Sequence, residues 1–311
     1  MRNVILGLLA LPAACAWAAA PTPLIDLAAN QQPIHTAKNP AAVALIPPGF
    51  HFAVPGKLTV AVSALNAPPL SVLADDNQTR IGSDIDVARL LADGLGLGLN
   101  LVPASWEQWP LGISSGKYDV ALFNIAVTKE RKTRFDFATY RQDTLAFSVR
   151  RNSPIHAISK PADVAGLKVI VGSGTNQENV LLGWDRQNRA AGLAPAQPVY
   201  VTDDAAASLA LQSGRVDLYF GPHSTGAYKA ALTGQTRLVG NGPQLAQVAA
   251  TTRKGNGLAA ALSEAINGAI ARGDYARAID RWGETEEKIE RSQVNPPGIG
   301  DTPASERANA G

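Results

Sequence analysis

The alternation of apolar and polar positions divides the chain into short strands and amphipathic helices. Gly56-Lys57-Leu58-Thr59-Val60-Ala61-Val62 and Gly166-Leu167-Lys168-Val169-Ile170-Val171 are β-branched runs that each follow a Gly, and both are expected to be strands. Apolar spacing predicts helices over 106–114 and 204–212, each closing at a Ser-Gly pair, Ser115-Gly116 and Ser213-Gly214. Glycine ends a helix with little strain because it enters the left-handed region without a Cβ clash. The sequence then repeats itself as Lys117-Tyr118-Asp119-Val120-Ala121-Leu122-Phe123 and Arg215-Val216-Asp217-Leu218-Tyr219-Phe220, with a strand expected just past each Asp. Leu258, Leu262, Ile266 and Ile270, then Tyr275, Ile279 and Trp282, carry the spacing of core helices broken at Gly273. Strands alternating with helices imply parallel α/β sheets, and two copies of one pattern imply two similarly built lobes.

The two ends follow other rules. Arg2, the apolar stretch Val4–Leu11 and small residues up to Ala20 have the form of an export signal over 1–20, too short to span a bilayer. Leu11-Pro12-Ala13-Ala14-Cys15 resembles a lipoprotein processing site, but Pro12 stands where the Leu belongs. Cleavage near Ala18 or Ala20 is therefore expected rather than anchoring at Cys15, which places the mature chain in the periplasm. Residues 21–55 are rich in Pro and Ala and read as an extension that lies against the first lobe or stays mobile. Residues 284–311, with Pro296-Pro297-Gly298 and few apolar positions, read as a loose tail.

Composition narrows the function classes. The chain has 311 residues with 28 Lys+Arg against 26 Asp+Glu, a formal charge of +2, and 17% charged residues. That length allows two domains, and so small and evenly spread a charge argues against a nucleic-acid partner. A single Cys leaves the exported body without a disulfide. His35, His51, His156 and His223 lack metal-ligand spacing, and neither a G-x-S-x-G elbow nor any cofactor fingerprint occurs, so no metal or cofactor is expected.

In open α/β sheets, ligands sit beyond the carboxyl ends of strands. The loops that fall there are 63–70, 124–131, 172–177 and 221–225. In the second, Thr128 can cap a helix whose first turn would contain Arg131, beside the positive end of the helix dipole, where a cation is unfavourable by ~0.3–1 kcal/mol. Two readings follow: a solvated basic turn among Lys129, Lys132 and Arg134, or an anion seat in which the planar guanidinium takes a carboxylate. Gly172-Ser173-Gly174-Thr175-Asn176, between a strand and a helix, can also turn N–H groups toward an anion. Ser83-x-x-Asp86 reads as a capping box, with no chemical role needed for Asp84 or Asp86.

Several motifs, in order, resemble the family 3 bacterial solute-binding proteins, the periplasmic receptors of polar amino-acid ABC transporters. They are Ala67-Pro68-Pro69-Leu70, Gly82-Ser83-Asp84-Ile85-Asp86-Val87, Ser115-Gly116-Lys117-Tyr118-Asp119, Val127-Thr128-Lys129-Glu130-Arg131, Phe135-Asp136-Phe137-Ala138-Thr139-Tyr140 and Gly174-Thr175-Asn176-Gln177-Glu178. The resemblance implies a type II periplasmic-binding fold of two α/β lobes that close like a hinge, with lobe 1 over 56–150 plus 245–283 and lobe 2 over 151–244. By position, Arg131 matches the residue that grips the ligand carboxylate, with Thr175 and Asn176 holding it from lobe 2. Asn124 and Ala126 match a segment that binds amine and carboxylate, and Trp106 a contact to the ligand's side chain. Ala67 stands where the family often stacks an aromatic. Pro222 stands where amino-acid binders place an Asp for the ammonium, a charged hydrogen bond worth ~1.5–3 kcal/mol. The implied function is that of a monomeric receptor delivering a small anionic or zwitterionic, carboxylate-bearing solute to a permease. Two alternatives are a cyclohexadienyl dehydratase-like enzyme, with Glu178 or His223 as its acid, and a free sensor protein.

Overall fold

The computed structural model describes residues 27–201 and 203–301, so the expected export signal and Cys15 lie outside the described residues. The strands are β1 (Lys57–Ser63), β2 (Val72–Leu73), β3 (Arg80–Ile81), β4 (Gly98–Ala104), β5 (Val120–Leu122), β6 (Phe135–Arg150), β7 (Lys168–Ile170), β8 (Gln197–Val199), β9 (Leu218–Pro222) and β10 (Thr236–Arg253). The helices are α1 (Pro40–Ala44), α2 (Ser83–Leu95), α3 (Trp109–Ser115), α4 (Asn176–Ala190), α5 (Asp204–Gln212), α6 (His223–Thr233), α7 (Leu258–Ala271) and α8 (Asp274–Asp280).

The long strands β6 and β10 pair antiparallel along nearly their whole length and carry the chain between two halves. On one side β1 lies parallel between β4 and β5, and on the other β7 lies parallel between β8 and β9. Each half has its own core. Val60, Leu91, Leu262 and Ile279 belong to the first. Phe147, Trp184 and Phe220 belong to the second, where the Phe147 and Phe220 rings stack 4.0 Å apart. The expected two-lobed α/β architecture is observed.

The repeated Ser-Gly-x-x-Asp segment has a structural purpose that spacing alone does not reveal. Gly116, at φ 78, caps α3, and Gly214, at φ 72, follows α5 one residue past its cap. Asp119 then accepts hydrogen bonds from the Thr59 and Ala53 amides at 2.8 and 2.9 Å, and Asp217 accepts from the Lys168 amide at 2.8 Å. Each Asp thus ties the start of its own strand to the start of the neighbouring parallel strand, β1 or β7. The same local solution is used once per lobe.

One open expectation about local structure is decided and two are corrected. The described part of the extension, 27–55, lies against lobe 1: Asn39 caps α1 and donates to the Glu264 carbonyl, and Ala42 enters the core. Residues 284–301 are not a loose tail. Glu284, Glu287 and Ser292 are buried, Thr139 donates to the Gln293 carbonyl, and Asn295 exchanges backbone and side-chain bonds with Phe137. The segment is held by backbone pairing to β6 and by buried polar side chains, with Ile289 joining the first core, which is why its composition misleads. Finally, Ser83 makes no capping bond, because Gly82 occupies the cap position and Asp86 is taken by Arg281 and the Trp282 indole N–H.

Candidate functional site

The carboxyl ends of β1, β5, β7 and β9 converge on a cavity of about 350 Å³, lined by residues of both lobes. Its first wall is the loop after β1, where the Arg80 guanidinium donates to the Ala64 carbonyl at 2.6 Å and to Ser71 Oγ at 3.1 Å. This anchoring brings Leu65, Ala67 and Leu70 to the cavity. Trp106 forms another wall from just before α3, braced edge-on against Trp109, whose ring is 5.8 Å away and buried in the core. The expected helix over 106–114 starts instead at Trp109, which leaves Trp106 free to face the cavity.

Arg131 is the central charge. Thr128 Oγ1 accepts its amide hydrogen at 3.0 Å as expected, but only a single 3₁₀ turn, Arg131–Thr133, follows. The dipole conflict inferred from the sequence therefore does not arise. What replaces it is a sharper imbalance. The guanidinium lies over the Trp106 ring at 5.3 Å and donates to two carbonyls, Ala126 at 3.0 Å and Gly174 of the opposite lobe at 3.4 Å. Among the described residues no carboxylate lies within ion-pair distance of it. Desolvation pushes its pKa down to about 10, against a smaller upward pull from Glu130, so it remains a cation at neutral pH without an ion-pair partner.

Lobe 2 meets it with the start of α4. Thr175 caps that helix, accepting from the Glu178 amide at 3.2 Å and donating to the Gly172 carbonyl at 2.7 Å, so its hydroxyl is committed internally. Asn176, 6% exposed, lines the cavity with an unpartnered Oδ1. The amides of Asn176 and Gln177 are first-turn donors with no intrahelical acceptor.

Asn124, in the left-handed conformation at φ 53, lies two residues past β5 and joins the buried charges behind the cavity. Its Nδ2 donates to Asp143 Oδ2 at 2.8 Å and its Oδ1 accepts from Arg141. Arg141, fully buried on β6, pairs with Glu287 and faces Glu284 at 3.6 Å.

The matching family model, bacterial extracellular solute-binding proteins, family 3, covers residues 58–285. The chain belongs to that family. The L-cystine-binding protein TcyJ of Escherichia coli is 33% identical over 122 residues, 39% of this chain and 44% of that protein. The chain thus spans less than half the length of that curated relative. The arginine-binding protein ArgT of Corynebacterium glutamicum is 26% identical over 73% of this chain and 75% of its own length. An ancestral arginine-binding protein bound to glutamine superimposes with a TM-score of 0.65 at 26% identity, covering 74% of this chain and 98% of that one.

Within this solute-binding fold, Arg131, Asn124, Ala126, Thr175, Asn176, Trp106, Ala67 and Pro222 are brought together around the cavity. His223 is not: it opens α6, half-buried, outside the lining. Glu178 also lies outside it, its carboxylate taking the Gly174 amide at 2.7 Å. Sequence reasoning missed Asp84, Phe123, Asp143 and Tyr200, all in the lining. Asp84 looked like helix-start chemistry. The signal for Asp143 was present: Arg141 and Asp143 are charged residues two apart, and so on one face, in a β-type run that continues as Leu145-Ala146-Phe147 and is destined for a central strand.

The charges behind the cavity set a pH dependence. Burial raises Glu284 from the ordinary 4.5 to about 7 and Glu287 to about 8, although Arg141 pulls both down. The folded protein therefore holds protons there that the unfolded chain has already released. Stability from these groups is complete below about pH 4.5 and is lost as pH rises through about 7 to 8. Thermal midpoints are expected to fall between about pH 5 and pH 8.5. Glu287→Gln, which mimics the protonated acid, should flatten that slope in a scan of melting temperature against pH.

Proposed function

We propose that the protein is a periplasmic receptor that encloses a small carboxylate-bearing solute between its lobes and delivers it to an ABC-transporter permease. One observation carries this reading: a half-buried guanidinium in a two-lobed cavity, without a carboxylate in ion-pair reach among the described residues. A partly desolvated charge without an ion-pair partner is unfavourable, and an anion that binds bidentately relieves it. The carboxylate would lie on Arg131 and the Asn176 and Gln177 amides, with Trp106 and Ala126 beside it. Trp106, Phe123, Leu70 and Phe220 leave an apolar wall for the rest of the molecule. The cavity volume lies near the lower end of the ~300–1,000 Å³ range of small-molecule sites, which suits a solute of amino-acid size.

We take lobe 1 as 56–150 plus 245–283 and lobe 2 as 151–244. We take hinge bending to occur at the widest of the three register shifts between β10 and β6, between Asn241 and Leu245. The amino acids named for its relatives support a receptor of zwitterionic or anionic solutes, which we take to act as a monomer. The two acids that a dehydratase would draw on, Glu178 and His223, stand outside the cavity lining, which favours binding over catalysis.

A thermal-shift screen over amino acids, dicarboxylates and organosulfur acids tests the proposal. A ligand at a hundred times its dissociation constant adds ~2.7 kcal/mol, a rise of roughly 5–10 °C for a chain of this size. No shift with any carboxylate or sulfonate would overturn it.

A further inference from the structure

The position on β9 that would carry an ammonium-binding Asp is Pro222, so the sequence leaves the cation seat empty. The fold fills the same region from another strand. Leu145 of β6 pairs with Pro222 of β9, which sets Asp143, two residues earlier on β6, opposite the start of α6. Asp143 is 3% exposed and lines the cavity. One carboxylate oxygen is held by Asn124, whereas the other, Oδ1, is buried and meets no donor in full hydrogen-bond geometry among the described residues, although the His223 amide and imidazole lie close enough to stabilise the carboxylate from the start of α6. Asp84, 1% exposed, lines the same cavity, with its Oδ1 accepting from the Tyr140 hydroxyl at 2.6 Å.

Charge makes the vacancy at Oδ1 significant. Asp84, Asp143, Glu284 and Glu287 share one buried cation, Arg141. The guanidinium spends its Nη atoms on Glu287 and Asn124 and none on Asp143. Because Glu284 and Glu287 largely hold protons near neutral pH, the excess rests on Asp84 and Asp143, two carboxyls facing one guanidinium, and Asp143 borders the cavity with an acceptor to spare. Arg131, in the same cavity, shows the opposite deficiency, a cation without an anion. A ligand bearing one charge of each sign satisfies both.

We propose that Asp143, on the strand joining the lobes, is the cation seat of this site and selects solutes carrying a protonated amine together with the carboxylate. This rests on the receptor reading above. Asp84 stands behind Asp143 and adds to the negative potential. Asn124 orients the carboxylate by holding Oδ2, which leaves Oδ1 to the ligand. Specificity that β9 cannot supply is thereby moved to the hinge strand.

The test compares L-amino acids with their deaminated counterparts, the same carboxylic acids without the amine, by calorimetry on the mature protein. The wild type is expected to bind at least one amino acid about tenfold or more tightly than its deaminated form. Asp143→Asn keeps the bond to Asn124 and should weaken that amino acid about ten- to a hundredfold, leaving the deaminated acid within about twofold. Pro222→Asp added to Asp143→Asn should restore part of the loss, because the new carboxylate enters the same cavity. If the deaminated acid binds as well as the amino acid, or a folded Asp143→Asn binds the amino acid like wild type, the proposal is overturned while the receptor reading stands. If no carboxylate binds at all, both fall. Should Asp143→Asn not fold, the wild-type ratio alone decides: at or below one, Asp143 is not a cation seat.

Discussion

Arg131→Ala is expected to abolish solute binding, with a loss of at least about a hundredfold, because two charged hydrogen bonds of ~1.5–3 kcal/mol each disappear together. The side chain takes part in no ion pair among the described residues, so its removal breaks only the bonds to the Ala126 and Gly174 carbonyls and the contact with the Trp106 ring. The ligand-free variant should therefore melt close to wild type, or slightly above it, since a desolvated charge has been deleted. Arg131→Lys keeps the charge but lacks the planar fork, and it should fall between the two. Calorimetric titration with whichever solute the wild type binds checks the series. Wild-type affinity in Arg131→Ala would show that the solute is held elsewhere. Because Gly174 belongs to the opposite lobe, the same variant should also shift the balance between open and closed forms, which small-angle scattering can follow.

How much of this was legible in the sequence depended on which force shapes each segment. The strands at 57–63 and 168–170, the helices at 258–271 and 274–280 and the paired Ser-Gly turns were readable because burial imposes periodicity and glycine marks the turn. Arg131 was readable from its motif, although the reason first offered, a clash with a helix dipole, fails because only one 3₁₀ turn follows. Asp143 was not found because its importance is non-local: it depends on Asn124, nineteen residues earlier, holding one oxygen, and on β9 passing alongside. Asp84 was explained away by a local rule that the structure does not use. The chain after Gly283 was misread for a related reason. Composition-based reading weighs apolar side chains, and this segment is fixed by main-chain bonds and by a buried pair whose partner lies more than a hundred residues away.

That segment gives the largest stability prediction. A chain ending at Gly283 loses Glu284 and Glu287, the two glutamates that face Arg141, and leaves a fully buried guanidinium without them. Removing the partner of a buried charge typically destabilises by ~3–5 kcal/mol. The truncation also uncovers β6, where the Phe137 and Thr139 amides lose Asn295 and Gln293 as acceptors. It further removes Ile289, whose amide donates to the Tyr275 hydroxyl at 3.0 Å, and Ile299, which pairs with Val127 and Lys129 beside the Arg131 turn. The melting temperature should drop by roughly 6–20 °C, at ~2–4 °C per kcal/mol for a chain of this size. Glu287→Gln separates the causes: it retains an acceptor for Arg141 and the whole backbone cover, so at neutral pH it should shift the midpoint far less than truncation. Differential scanning calorimetry of the three proteins decides. A truncated chain melting within a few degrees of the full one would mean that Arg141 finds its compensation from Asp143 and Asp84 alone, and the cation seat in the cavity would then be correspondingly weaker.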